Sequence, residues 1–210
     1  MIRLGLVLAA MLAIWAAGGT AHAEAAIQTF PVPPGAGAHD VYPATDGTVW
    51  FTAQSAGKLG RLDPGTGKSD LIALGPGAAP HGVIVRPDGA AWVTEGGQNA
   101  IVRVDPATLG VRLFPLPKER RSANLNTASF DRRGVLWFTG QNGIYGRLDP
   151  KTGAIAVFDA PRGPGPYGIA TTPDGQVFFA SLAGNYLGQI DLETGAVTVL
   201  EPPMPVRRPA

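Results

Sequence analysis

Residues 78–106 read AAPHGVIVRPDGAAWVTEGGQNAIVRVDP, with a His just ahead of an apolar run and a Glu fourteen positions behind it. The stretch decides the fold because it is one of four. HDVYPATDGTVWFTAQSAGKLGRLDPGTG begins at His39, HGVIVRPDGAAWVTEGGQNAIVRVDPATLG at His81, NTASFDRRGVLWFTGQNGIYGRLDPKTG at Asn126 and YGIATTPDGQVFFASLAGNYLGQIDLETG at Tyr167. Their first residues lie 42, 45 and 41 positions apart. A period in the low forties built only of short strands predicts a propeller blade, because one four-stranded sheet cannot bury both its faces without a neighbour.

Each copy assigns its own strands. A short apolar run such as Val83-Ile84-Val85 predicts the inner strand, and Asp-Gly at 46–47, 88–89 and 174–175, with Arg133-Gly134 in the third copy, predicts a tight hairpin. The second strand carries Trp50-Phe51-Thr52, Trp92-Val93-Thr94, Trp137-Phe138-Thr139 or Phe178-Phe179-Ala180, large side chains that fill the space between sheets. Leu59-Gly60-Arg61-Leu62 and its counterparts alternate as a half-buried third strand does. Asp63, Asp105, Asp149 and Asp191 then open turns, a structural use of four acids that otherwise resemble a metal array.

The fold expected is therefore all-β, a β-propeller of four-stranded antiparallel blades over 24–203. Four repeats are present, at about 38–75, 81–117, 126–161 and 167–203, with a tail at 204–210. An outer-strand pattern recurs at 111–117, 155–161 and 197–203, and it also appears ahead of the first copy at 27–33. The fourth copy already has an outer strand, so the one at 27–33 has no three-stranded partner. Either four blades close with a spare strand, or the chain is a shortened form of a larger ring whose missing blades follow Pro203. The second reading is preferred, and it leaves open blade edges through which copies of the chain associate.

Arg3, the apolar run from Leu4 to Ala17 and Ala21-His22-Ala23 predict a signal peptide over 1–23, hence a periplasmic or secreted protein with no membrane span after cleavage. With 17 Lys and Arg against 16 Asp and Glu, charge gives no reason to expect nucleic acid as a partner. There is no Cys, so packing alone holds the fold. No phosphate-binding Gly-rich loop and no nucleophile elbow occurs.

Inner strands of a propeller enter the channel from one side. His39, His81, Asn126 and Tyr167 therefore converge on one rim, the expected place for a small-molecule ligand. Glu95 ends a strand that runs back toward that rim, which answers why a His precedes it by one hairpin. On the recurring Pro-His-Gly-Val, Asp-Gly, Trp-Phe-Thr and Gly-Arg-Leu-Asp segments, the chain resembles the streptogramin B (virginiamycin B) lyases from about Ile27 to Pro203.

That resemblance implies a seven-bladed ring, Mg²⁺, and linearisation of a cyclic depsipeptide by elimination. It implies His81 as the catalytic base, His39 as the substrate-binding His one repeat earlier, and Glu95 as a metal ligand. Asn126 and Tyr167 complete the expected substrate-binding rim. The family's second metal Glu, two residues before the base, is matched here by Ala79, and the His-bearing copies stand early in the chain rather than late. The alternative is a non-catalytic propeller, in which the two His satisfy backbone groups or bind a small polar ligand and Glu95 is a solvated loop acid.

Overall fold

The computed structural model of the chain describes residues 27–120 and 122–203. Sixteen strands form four separate antiparallel sheets, each in simple consecutive order. Blade 1 comprises β1 (Ala38–Pro43), β2 (Val49–Ala53), β3 (Lys58–Asp63) and β4 (Lys68–Ala73). Blade 2 comprises β5 (Pro80–Val85), β6 (Ala91–Glu95), β7 (Ala100–Val104) and β8 (Val111–Pro115). Blade 3 holds β9 (Leu125–Phe130), β10 (Leu136–Gly140), β11 (Ile144–Leu148) and β12 (Ile155–Asp159). Blade 4 holds β13 (Pro166–Thr171), β14 (Val177–Ser181), β15 (Tyr186–Ile190) and β16 (Val197–Leu200). The expected all-β architecture of four-stranded blades is the one formed. The predicted signal peptide and the tail from residue 204 lie outside the described residues.

Three of the four repeats share one packing device inside the sheet. Phe51, Phe138 and Phe179 lie flat across Gly60, Gly146 and Gly188 of the paired strand, where an added Cβ would stand 2.1, 2.4 and 2.5 Å from a ring carbon. Blade 2 replaces the pair by Val93 opposite Val102, exchanging one large and one absent side chain for two of middle size. The turn acids also do as expected: Asp63, Asp105, Asp149 and Asp191 accept backbone N–H groups two or three residues on.

Between blades the core is a stack of joints. Trp50, Leu59 and Ile72 of blade 1 pack on Val83, Val93 and Val102 of blade 2. Trp92, Ile101 and Phe114 meet Leu136, Phe138 and Leu148 of blade 3. Trp137, Tyr145 and Phe158 meet Val177, Phe179 and Ile190 of blade 4. Burying each such Leu- or Phe-sized side chain stabilises by about 2–3 kcal/mol. The inner strands follow in the order β1, β5, β9, β13. Among the described residues no apolar cluster joins blade 4 back to blade 1, so the blades form an open arc and four-bladed closure does not occur.

One expectation fails in an informative way. Residues 27–33 form no strand. Phe30 instead packs with Phe51 and Leu62 on the free face of blade 1, 3.9 Å from a Cβ built on Gly67. Phe114 and Phe158 lie against Gly153 and Gly195 in the corresponding place, at 3.4 and 2.3 Å. Phe30 thus sits where the outer strand of a preceding blade puts its aromatic. Among the described residues no third strand of such a blade lies beside it.

Candidate functional site at the channel rim

The four rim positions stand at or next to the starts of β1, β5, β9 and β13, as the repeat alignment predicts. Thr52, Thr94 and Thr139 of the first three blades hold His81, Asn126 and Tyr167 in register, a role not read from the sequence. Thr52 Oγ1 donates to the carbonyl of His81 at 2.8 Å and accepts the amide of Asp40 at 2.9 Å. Thr94 does the same between the Asn126 carbonyl and the Gly82 amide, and Thr139 donates to the Tyr167 carbonyl. Each blade therefore sets the height of the next blade's rim residue.

Side chains then converge. The His39 and His81 rings are 4.3 Å apart at 56°, and Tyr167 meets His81 edge-on with centroids at 6.4 Å. Tyr167 reaches across blade 3 because Asn126 there is short and fully buried. Asn126 Nδ2 lies 3.2 Å from His81 Nε2. An amide N–H only donates, so in this orientation Nε2 carries the lone pair and Nδ1 the proton. His81 Nδ1 and Asn126 Oδ1 are buried without a partner. His39 is exposed, His81 and Tyr167 half-buried. Burial, and then the nearby His39, hold the His81 imidazole below its ordinary pKa, which favours the neutral ring.

Asn126 is thus not an open ligand contact as expected. It lies beneath the rim and bonds the ring of His81, while His39, His81 and Tyr167 form the face that a ligand meets.

Glu95 departs further from both sequence readings. It is the last residue of β6 and is 0% exposed, so it is not a solvated loop acid. Its Oε1 accepts the amides of Ala79 at 2.6 Å, Gly97 at 2.9 Å and Gln98 at 3.4 Å. One oxygen thereby clamps the loop after β6 onto the entry to β5. Oε2 is buried with no partner, and burial outweighs the three amides to raise the carboxyl's pKa. The strand register shifts between Pro80 and Val83, as it does at the starts of β1 and β13.

These residues do not compose a Mg²⁺ site. A hard divalent cation needs several oxygen ligands, usually including one or two carboxylates. Glu95 offers a single free oxygen, Ala79 offers none, and the Asp40 carboxylate is engaged by the Val83 amide at 3.0 Å. Among the described residues no three His, Asp or Glu gather as a ligand set. A cleft of about 840 Å³ lies at the other mouth of the arc between Tyr42, Ile84, Arg86, Phe130, Arg132 and Thr171, away from the two His.

An open arc of blades whose strand starts gather two imidazoles and a phenol over a buried amide defines a propeller with a histidine-bearing rim. The chain belongs to the virginiamycin B lyase family, whose model matches residues 13–210. Virginiamycin B lyase from Staphylococcus aureus is 31% identical with a TM-score of 0.74, over 83% of this chain and 59% of that one. A catalytically inactive His-to-Ala form of that lyase with quinupristin is 31% identical, TM-score 0.73, over 82% and 58%. A streptogramin B lyase structure is 28% identical, TM-score 0.74, over 83% and 57%. The chain thus spans less than three fifths of the length of these lyases. No curated protein sequence matches it significantly. Among the described residues no helix is long and apolar enough to cross a membrane.

Proposed function

We propose that the protein is an exported carbon–oxygen lyase that opens a cyclic depsipeptide by elimination, with His81 as base. The observation that carries this is the state of His81: a neutral-favouring imidazole at the rim, with one ring nitrogen held by Asn126 and the other buried without a partner. Buried polar atoms left unpaired in a folded protein call for a reason, and a proton-transfer group waiting for its substrate is one. In the similar Staphylococcus aureus lyase, replacing one His by Ala abolishes catalysis.

The step is balanced as follows. His81 takes the proton from the carbon alpha to a carbonyl, the released electron pair becomes the double bond to the beta carbon, and the beta carbon–oxygen bond breaks. The ester oxygen leaves with those electrons as a carboxylate. Nothing is hydrolysed. Nε2 is held by the Asn126 amide and Nδ1 is buried, so the His81 ring must swing toward His39 and Tyr167 for a ring nitrogen to meet the substrate carbon. His39 and Tyr167 flank the ring and place the substrate.

Export rests on the pattern of the first 23 residues. Turnover of a streptogramin B depsipeptide tests the assignment. His81→Ala is expected to lower kcat/KM at least about 100-fold with an unchanged circular dichroism spectrum, and His39→Ala to raise KM more than it lowers kcat. With the pKa depressed, wild-type activity persists below pH 6.5 and falls only as pH drops through the lowered value. Full activity in His81→Ala would sink the proposal.

A further inference from the structure

At the mouth of the arc opposite the histidines, the ends of the inner strands line the cleft of about 840 Å³. Two of its residues depart from the repeat. In the register of the inner strands, Arg86 stands where the other copies have Ala44, Asp131 and Thr172, and Phe130 stands where they have Pro43, Val85 and Thr171. Building a blade therefore requires neither an Arg nor a Phe at these places. Yet the two meet: the Arg86 guanidinium lies over the Phe130 ring, 5.0 Å from its centroid.

Arg86 is held without being paired. One Nη1–H reaches the Gly134 carbonyl at 3.5 Å, the aromatic ring supports the plane of the fork, and among the described residues no carboxylate forms an ion pair with it. Phe130 is itself pinned, because Thr171 donates to its carbonyl at 2.9 Å and Ser129 bonds Thr171 across the same joint at 2.9 Å. Among the described residues the lining carries one carboxylate, Asp131, and it is turned inward. It accepts the amides of Arg133 and Val135 and the indole N–H of Trp137. Arg132 lies against the Gly175 turn near Asp174, which leaves Arg86 as the cation of the cleft with its donors free. Arg86 and Phe130 belong to blades 2 and 3, each flanked by a blade on both sides, so the anchor is complete within the arc.

We propose that this cleft is a second ligand site, separate from the rim, that takes a small carboxylate with an aromatic or apolar body. A guanidinium ordered on an aromatic ring with its N–H groups unspent binds a carboxylate through two parallel hydrogen bonds, the pairing its planar fork fits best. Ile84, Phe130 and Ile169 give the body of the ligand an apolar wall. A neutral ligand of the same shape gains only the wall, and an inorganic anion gains only the fork.

Phenylacetate is the probe, titrated against the purified protein and followed through the ligand signals by NMR. Saturable binding is expected, at least about tenfold weaker in Arg86→Gln with an unchanged circular dichroism spectrum, and weaker by a similar factor for phenylacetamide, which keeps the ring and removes the charge. The comparison of the two ligands needs only the wild-type protein, so it stands even where Arg86→Gln fails to fold. Joint His39→Ala and His81→Ala replacement is expected to leave phenylacetate binding as in the wild type, which separates this cleft from the rim. No saturable binding overturns the proposal. So does equal affinity for phenylacetate and phenylacetamide, binding indifferent to Arg86→Gln, or binding lost with the two histidines.

Discussion

Glu95 is buried and His81 half-buried in one corner of blade 2, and burial pushes each toward its neutral form. The signs differ for stability. The folded pKa of Glu95 lies above the ordinary 4.5, so its contribution is fully present below that pH and is lost as pH rises through the raised value. The folded pKa of His81 lies below 6.5, so stability is lost as pH falls from 6.5 through the lowered value. Glu95→Gln keeps an acceptor for the amides of Ala79, Gly97 and Gln98 without the charge, and is expected to fold at least as stably as wild type near pH 7. Glu95→Ala strands three N–H groups and is expected to cost about 3 kcal/mol in urea unfolding. Equal, large losses in both variants would show that the charge itself is needed. The rim was legible in the sequence because the repeats align His39, His81, Asn126 and Tyr167 without any structure. The depth of Glu95 and Asn126 was not, because burial at a strand end depends on how the neighbouring loop and blade fold over it.

At the scale of the strand, the repeats carry their own controlled comparison. Blades 1, 3 and 4 set a Phe over a Gly, and blade 2 sets Val93 beside Val102. Gly60→Val drives a side chain into the Phe51 ring and is expected to destabilise by about 3 kcal/mol, while Gly60→Val combined with Phe51→Val recovers most of the loss. Additive losses in that double-mutant cycle would mean the two positions are not one packing unit. Strand order, Asp-Gly hairpins and Asp turns were readable because each depends on local residues. The pairing of 27–33 was not, because an outer strand exists only where a third strand lies beside it, and here Phe30 finds the aromatic's place without the hydrogen bonds. The Thr bridges went unread for a similar reason: Thr52 looks like one more strand residue until the next blade brings the His81 carbonyl to its hydroxyl.

At the scale of the molecule, four blades stacked by three equivalent joints make an arc whose inner-strand starts still bring the rim together. The rim is built across joints, with His39 on blade 1, His81 on blade 2, Asn126 on blade 3 and Tyr167 on blade 4. Its geometry therefore depends on blade stacking more than on any one sheet. The central claim is that this rim performs an elimination with His81 as base. The direct measurement is the mass of the product formed from a streptogramin B depsipeptide by the wild-type protein and by His81→Ala. Elimination opens the ring without adding atoms, so the account predicts a linear product of unchanged mass from the wild type and none from the variant. A product heavier by one water, or no product from the wild type, would contradict it.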